Sequence, residues 1–174
     1  SSLARNEIRH TIAGSHSESR LLGAYLGDGD QHLDNTTFVD HAVADTELDE
    51  DYKGVLAGKA RGVFQGKILV RPDSQRTDGN QMSRALLLSD KAEANLKPEL
   101  EIYADDVKCS HGATVGELEE DQLFYLQARG LSRAAARALL VDAFVMEIVD
   151  RISSTLLREA MADAVRAHFA RMFK

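Results

Sequence analysis

The chain has 174 residues, 44% of them hydrophobic, with 28 acidic against 21 basic side chains and a formal charge of -7 at neutral pH. That length buries a core without a staple, and one cysteine cannot form an intramolecular disulfide, which suits a reducing compartment. The acidic balance repels phosphate backbones, tryptophan is absent as a stacking platform, and no apolar run is long enough to span a bilayer, so nucleic acid and membrane are disfavoured partners of a soluble chain.

The negative charge has an address: residues 1–118 carry 20 acids and 13 bases, whereas residues 119–174 carry eight of each. The chain opens SSLAR, with neither an initiator methionine nor the apolar segment of a signal peptide, which predicts a processed start or a piece of a longer protein. Up to about residue 116, short apolar runs alternate with turn formers. Candidate strands fall at residues 8–12, 20–26, 36–40, 53–57, 62–64 with 67–70, 85–88, 99–103 and around Val107. Turns are predicted at 27–30, 71–74, 77–80 and 96–98, and eleven of the 12 glycines lie in this part.

Two all-β layouts fit this pattern: an antiparallel sandwich or jelly roll, and a coil of short strands stacked rung on rung. A sandwich should show two-residue hairpin loops, and few are present. The run 55–70, interrupted by Gly58, Gly62 and Gly66 and preceded by Gly54, reads instead as short rungs with glycines at the corners. The coiled stack is therefore preferred.

After about residue 118 the period becomes helical. Glu119, Glu120 and Asp121 favour the start of a short helix that Gly130 stops, with Leu123, Phe124 and Leu126 as its apolar face. Ser132 caps a second helix to about Asp150, on which Leu140, Phe144 and Ile148 share a face with Val141, Val145 and Val149. A third helix starts near Ser153 or Ser154 and runs to about Met172, with Leu157, Met161, Ala164, Val165, His168, Phe169 and Met172 along one side. An αα-hairpin of the two long helices leaves apolar surface that must meet the β unit or another protein.

Candidate chemistry is sparse. In the string KCSHGATVG at 108–116, Cys109 and His111 are two apart, which in an extended segment turns both side chains to one face. A thiol beside an imidazole serves as a nucleophile pair or as two soft metal ligands, but no CxxC or HxxxH completes a zinc or iron–sulfur site. The plainer alternative is a buried thiol beside a turn-side histidine. His32 and His41, with Asp34 and Asp40, read as wall-supporting hydrogen-bond groups, because nothing forces them onto one ion. His10 and His16 carry no signal, and His168 reads as a packed or partner-facing residue. Acid pairs at Asp28 and Asp30, Asp45 and Glu47, and Asp105 and Asp106 leave open a glycoside-acting enzyme, although aromatic platforms for sugar rings are few. The glycine run lacks the GK[ST] ending that gathers N–H groups around phosphates.

The blocks LDNTT (33–37), DH (40–41), YKGVLAGKA (52–60), VFQGKI (63–68), LLLSDKA (86–92), KPELEIYADDVKCSHGATVG (97–116) and LFYL (123–126), with Arg129 and Gly130, strongly resemble the SufB/SufD family of iron–sulfur cluster assembly proteins. Within that family the chain resembles the carboxy-terminal part of SufD. The resemblance implies a mainly β fold: a right-handed parallel β-helix core over residues 1–118, truncated at its start, followed by a small α-helical domain over 119–174. It also implies a non-enzymatic scaffold subunit of a cytoplasmic or plastid complex. Its β-helix pairs with a SufB-like subunit, and its helical domain docks a SufC-like ABC-type ATPase, the only subunit to carry ATP. Met161, Val165, Phe169 and Met172 are the helical residues expected at that contact or in the core. His111, with Cys109, is expected to contribute to a shared interface site where metal of the nascent cluster is held transiently. Gly112 stands where SufB carries a glutamate, so further ligands would come from that partner. Self-association of the piece as a homodimer, and a purely structural role for Cys109 and His111, are the remaining expectations.

Overall fold

A computed structural model describes residues 2–172 as eight strands followed by three helices. The strands are β1 (Leu3–Ile12), β2 (Glu18–Gly27), β3 (His32–His41), β4 (Glu47–Leu56), β5 (Arg61–Val70), β6 (Asp78–Leu87), β7 (Glu93–Ile102) and β8 (Lys108–Glu117). The helices are α1 (Glu120–Ala128), α2 (Arg133–Val149) and α3 (Thr155–Met172).

Odd-numbered strands form one parallel sheet in the order β1-β3-β5-β7, and even-numbered strands form a second in the order β2-β4-β6-β8. Each rung therefore contributes one strand to each wall, which is a parallel β-solenoid of four rungs. Every strand has ten residues, longer than the short rungs expected from the apolar runs alone. Inward positions are often polar or glycine, so the runs of large apolar residues stop before the strands do. Rung length also varies: Leu3 pairs with His32, 29 positions on, whereas Arg61 pairs with Glu93, 32 positions on. That variation hides the repeat from any fixed-period reading.

Two interior clusters fill the space between the walls. Ile12, Val39, Leu48, Ile68 and Val70 pack at one end of the strands, and Tyr25, Tyr52, Leu56, Phe64 and Ala92 at the other. The glycines at 54 and 62 serve this second cluster rather than the corners. A Cβ on Gly54 would overlap the buried Tyr25 ring, and one on Gly62 would come within 2.7 Å of it. Only Gly58 of the spaced set turns a corner, with φ of +62°. Gly54→Ala is expected to cost about 2–3 kcal/mol, because a ring sealed on all sides cannot retreat. Urea unfolding checks this, and a loss below about 0.5 kcal/mol would contradict the packing.

The helical end forms as its local signals dictate. Ser132 accepts a hydrogen bond from the Ala135 amide at 3.2 Å and caps α2, and Gly130, with φ of +95°, ends α1. Ser154 rather than Ser153 caps α3, with its hydroxyl 3.4 Å from the Leu157 amide. Helix α2 lies on the outer face of the even-numbered sheet, where Val55, Leu86 and Leu88 meet Val141, Val145 and Val149, and Val165 and Phe169 of α3 close the cluster. Further along the same face the contact is ionic. Lys53 is fully buried, donates to the Phe144 carbonyl at 2.7 Å and pairs with Glu147. Arg84 and Arg151 each reach Asp51 at 2.9 Å, and Arg151 also pairs with Asp49. Arg137 of α2 donates to the Leu88 carbonyl and pins the helix to the β6–β7 corner. Among the described residues, no helix is long and apolar enough to cross a membrane.

Candidate functional site

The string KCSHGATVG is neither a bend nor a turn; it is most of β8, the outermost strand of its sheet, paired to β6 alone. Cys109 and His111 do share a face, as alternation requires. Cys109 stands in register with Gly79, and its Sγ would lie 3.5 Å from a Cβ at that glycine, so the thiol points into the solenoid and packs on the Ile12–Val70 cluster. Burial pushes this thiol's pKa up, which opposes its acting as a free nucleophile. His111, two residues on and in register with the fully buried Gln81, is exposed because no further rung covers it. The same end of the solenoid exposes Ile102, Tyr103 and Val115.

Among the described residues, no three His, Cys, Asp or Glu side chains converge in a way that could hold a metal ion. His41 is sealed in the interior, with Nδ1 2.7 Å from the Thr46 hydroxyl, and burial lowers its pKa to about 4. Asp40 is taken by Arg71 at 2.6 Å, and Asp34 lies 3.6 Å from Arg5. The reading of His41, Asp34 and Asp40 as wall-supporting groups therefore agrees with their contacts. His168 lies half-buried beside Arg171 at 3.3 Å, and burial lowers its pKa as well.

The carboxylate pairs do not assemble a glycosidase site. Asp45 is held by Arg76 in a two-pronged pair at 2.5 and 2.7 Å, which keeps its pKa below the usual carboxylate range. This pair lies in a corner groove of about 580 Å³ that Glu47, Asp106 and Lys108 also line, with neither Cys109 nor His111 in its lining. A general acid needs a raised pKa and access to substrate. The carboxyl with a raised pKa among the described residues is Glu50, which is fully enclosed between the walls.

On the helical end, the four residues expected at a partner contact or in the core divide. Val165 and Phe169 are each 7% exposed in the α2–α3 core, Met172 packs against it in part, and Met161 stays open to solvent at 43%. The side of α3 that remains apolar and exposed is carried by Leu156, Leu157 and Met161, one of which, Leu156, the helical period alone did not single out.

Fold and site together define a parallel β-solenoid that ends in an open rung bearing an exposed imidazole and an inward thiol, with no complete centre in the described residues. A family model described as the SufBD core domain of SUF system FeS cluster assembly matches residues 1–144, and the chain belongs to that family. It is 39% identical over 165 residues to a Synechocystis protein called iron–sulfur cluster assembly SufBD family protein, covering 94% of this chain and 36% of that one. It is 34% identical to the iron–sulfur cluster assembly protein SufD of Escherichia coli, covering 89% and 37%, and 35% identical to the chloroplastic protein ABCI7 of Arabidopsis thaliana, covering 94% and 35%. The chain thus spans about a third of the length of these relatives.

Proposed function

We propose that this chain is the scaffold part of a SufD-like subunit, supplying one half of a composite site on which an iron–sulfur cluster is built, and that it is not itself an enzyme. The observation that carries this reading is His111: an exposed imidazole on the outermost strand of the solenoid, beside an unpaired strand edge, in a chain whose described residues hold no complete ligand set. An unpaired, ten-residue edge is a ready surface for another chain. A SufB-like subunit seated there would bring the missing ligands. The cluster is cargo in this scheme, with His111 as a transient ligand and Cys109, turned inward, as the weaker contributor.

The helical region from residue 119 is the docking arm for a SufC-like ATPase. Leu156, Leu157 and Met161 supply its apolar contact, while Val165, Phe169 and Met172 support them from the core side. The rigid ionic contact of α2 with β4 would pass a movement of the arm to the solenoid. A glycoside-acting enzyme is disfavoured by the engagement of Asp45 and the enclosure of Glu50.

The test is reconstitution with iron and sulfide of the full-length parent protein in complex with its SufB-like and SufC-like partners. His111→Ala is expected to lower cluster yield at least about tenfold, the scale on which loss of a group at a metal site acts. Cys109→Ser is expected to act less. Wild-type yield from an intact His111→Ala complex would leave a purely structural β8 and remove the reading.

A further inference from the structure

The inner face of the even-numbered sheet carries an in-register column of Leu21, Glu50, Gln81 and His111, one residue per rung. Neighbouring strands stand about 4.8 Å apart, so successive side chains of the column are next to one another. Glu50 and Gln81 are both fully buried, and Gln81 Nε2 donates to Glu50 Oε2 at 2.6 Å. Opposite them in the same rung as Gln81 is Gly66, where a Cβ would collide with the Gln81 amide. The amide fills the space of the missing side chain and is thereby held in place.

Its two ends are not equivalent. With Nε2 committed to Glu50 in the rung below, a flip would bring the Gln81 carbonyl against the Glu50 carboxyl and sacrifice that bond. Among the described residues, Gln81 Oε1 has no hydrogen-bond partner, although it is fully enclosed. A buried acceptor without a donor is costly, and such groups are retained where they serve a purpose. The next residue of the column, in register with Gln81, is His111.

We infer that Gln81 is a positioning residue for His111 in the assembled complex: there its Oε1, unpartnered in the chain alone, accepts the N–H of one imidazole nitrogen once a partner covers β8, and so leaves the lone pair of the other turned outward, toward the partner side. A neutral imidazole has one N–H and one lone pair, so fixing the first fixes the second. Ligating histidines are oriented in this way by an acceptor on their far nitrogen. Glu50 acts one step further back by setting the direction of the amide. This inference rests on His111 being the outward ligand, as proposed above.

The experiment uses the full-length protein in its complex, labelled with 15N-histidine and observed by magic-angle-spinning NMR, with His111 assigned from its absence in His111→Ala. The wild type is expected to show a single His111 tautomer. Gln81→Met keeps the volume and removes the acceptor, and is expected to give mixed tautomers and at least about tenfold less cluster, the scale on which loss of an outer-shell partner acts. Gln81→Glu keeps an oxygen at the same place, shares a proton with Glu50, and is expected to retain the single tautomer and about half or more of the yield. If His111→Ala abolishes cluster formation while Gln81→Met leaves tautomer and yield unchanged, the positioning role is wrong and the His111 reading stands. If His111→Ala has no effect, the reading beneath it fails. Should Gln81→Met not fold, mixed tautomers in the wild type would overturn the inference on their own.

Discussion

Truncating Lys53 to alanine is expected to lower the free energy of unfolding by about 4 kcal/mol, whereas methionine at the same place is expected to cost less than about 1.5 kcal/mol. The side chain is fully buried between β4 and α2, its ammonium bonded to the Phe144 carbonyl and to Glu147 and lying 4.5 Å from the centre of the Phe144 ring. Alanine removes the four-carbon stem and leaves a cavity worth roughly 3 kcal/mol, to which loss of the ammonium's bond to the Phe144 carbonyl, itself still held within α2, adds about 1 kcal/mol. Methionine refills the volume and also removes an ammonium whose pKa burial pulls down, so much of its lost bonding is offset by desolvation no longer incurred. Glu147 is largely exposed and beside Arg84 at 3.5 Å, so its carboxylate stays solvated and paired in either variant. Urea unfolding of the three proteins decides the matter. An alanine variant within 1 kcal/mol of wild type would mean that the α2–β4 contact is held by the Val55 cluster alone, and the ionic patch would then be a poor route for movement of the helical arm.

The same face shows what sequence makes legible and what it hides. The helices are legible almost to the residue because Ser132, Gly130 and Ser154 act on their own neighbours. Strand existence is legible where inward residues are large and apolar, as at Phe64, Ile68 and Val70. It fades at β6, whose inward positions begin with Gly79, Gln81 and Ser83, and the apolar stretch at 85–88 marks only its end. Gly54 and Gly62 read as corners because nothing local tells a residue that turns a chain from one that yields space to a ring about one rung's worth of sequence away.

The candidate site divides in the same manner. Cys109 and His111 are legible as a pair because alternation is a local rule, and the family resemblance supplies their context. Gln81, Glu50 and Lys53 are not, since each owes its role to register across rungs or to a helix about ninety residues later. A polar residue at inward parity between Gly79 and Ser83, and a lone lysine in an otherwise apolar run, were the available signals. Neither has meaning until the rung lengths are known.

Two enclosed ionisable groups give the solenoid opposed responses to pH, and His41 has the larger effect. Its pKa falls from 6.5 in the unfolded chain to about 4 in the interior, mainly because burial excludes the imidazolium, with Asp40 opposing and His10 assisting. Between those values the unfolded chain binds a proton that the folded chain refuses. Stability is therefore complete above about pH 6.5 and lost as pH falls to about 4, by roughly 1.4 kcal/mol per pH unit and about 3 kcal/mol in all. Glu50 acts with the other sign, since burial raises its pKa against the pull of Thr37 and Gln81. Its contribution is complete below the ordinary glutamate range and is lost as pH rises through its folded value, so it offsets part of the His41 slope in wild type. Glu50→Gln keeps the shape and the bond from Gln81 but cannot ionise. It is expected to match wild type near pH 4, to exceed it at pH 7.5, and to fall more steeply between pH 6.5 and 4.5. His41→Gln is expected to flatten the same interval. Urea midpoints across pH 4–8 measure all three. A Glu50→Gln protein less stable than wild type at pH 7.5 would mean that Glu50 is stabilised as a carboxylate by groups the interior does not present, and an unchanged acid limb in His41→Gln would assign that limb to the surface carboxylates.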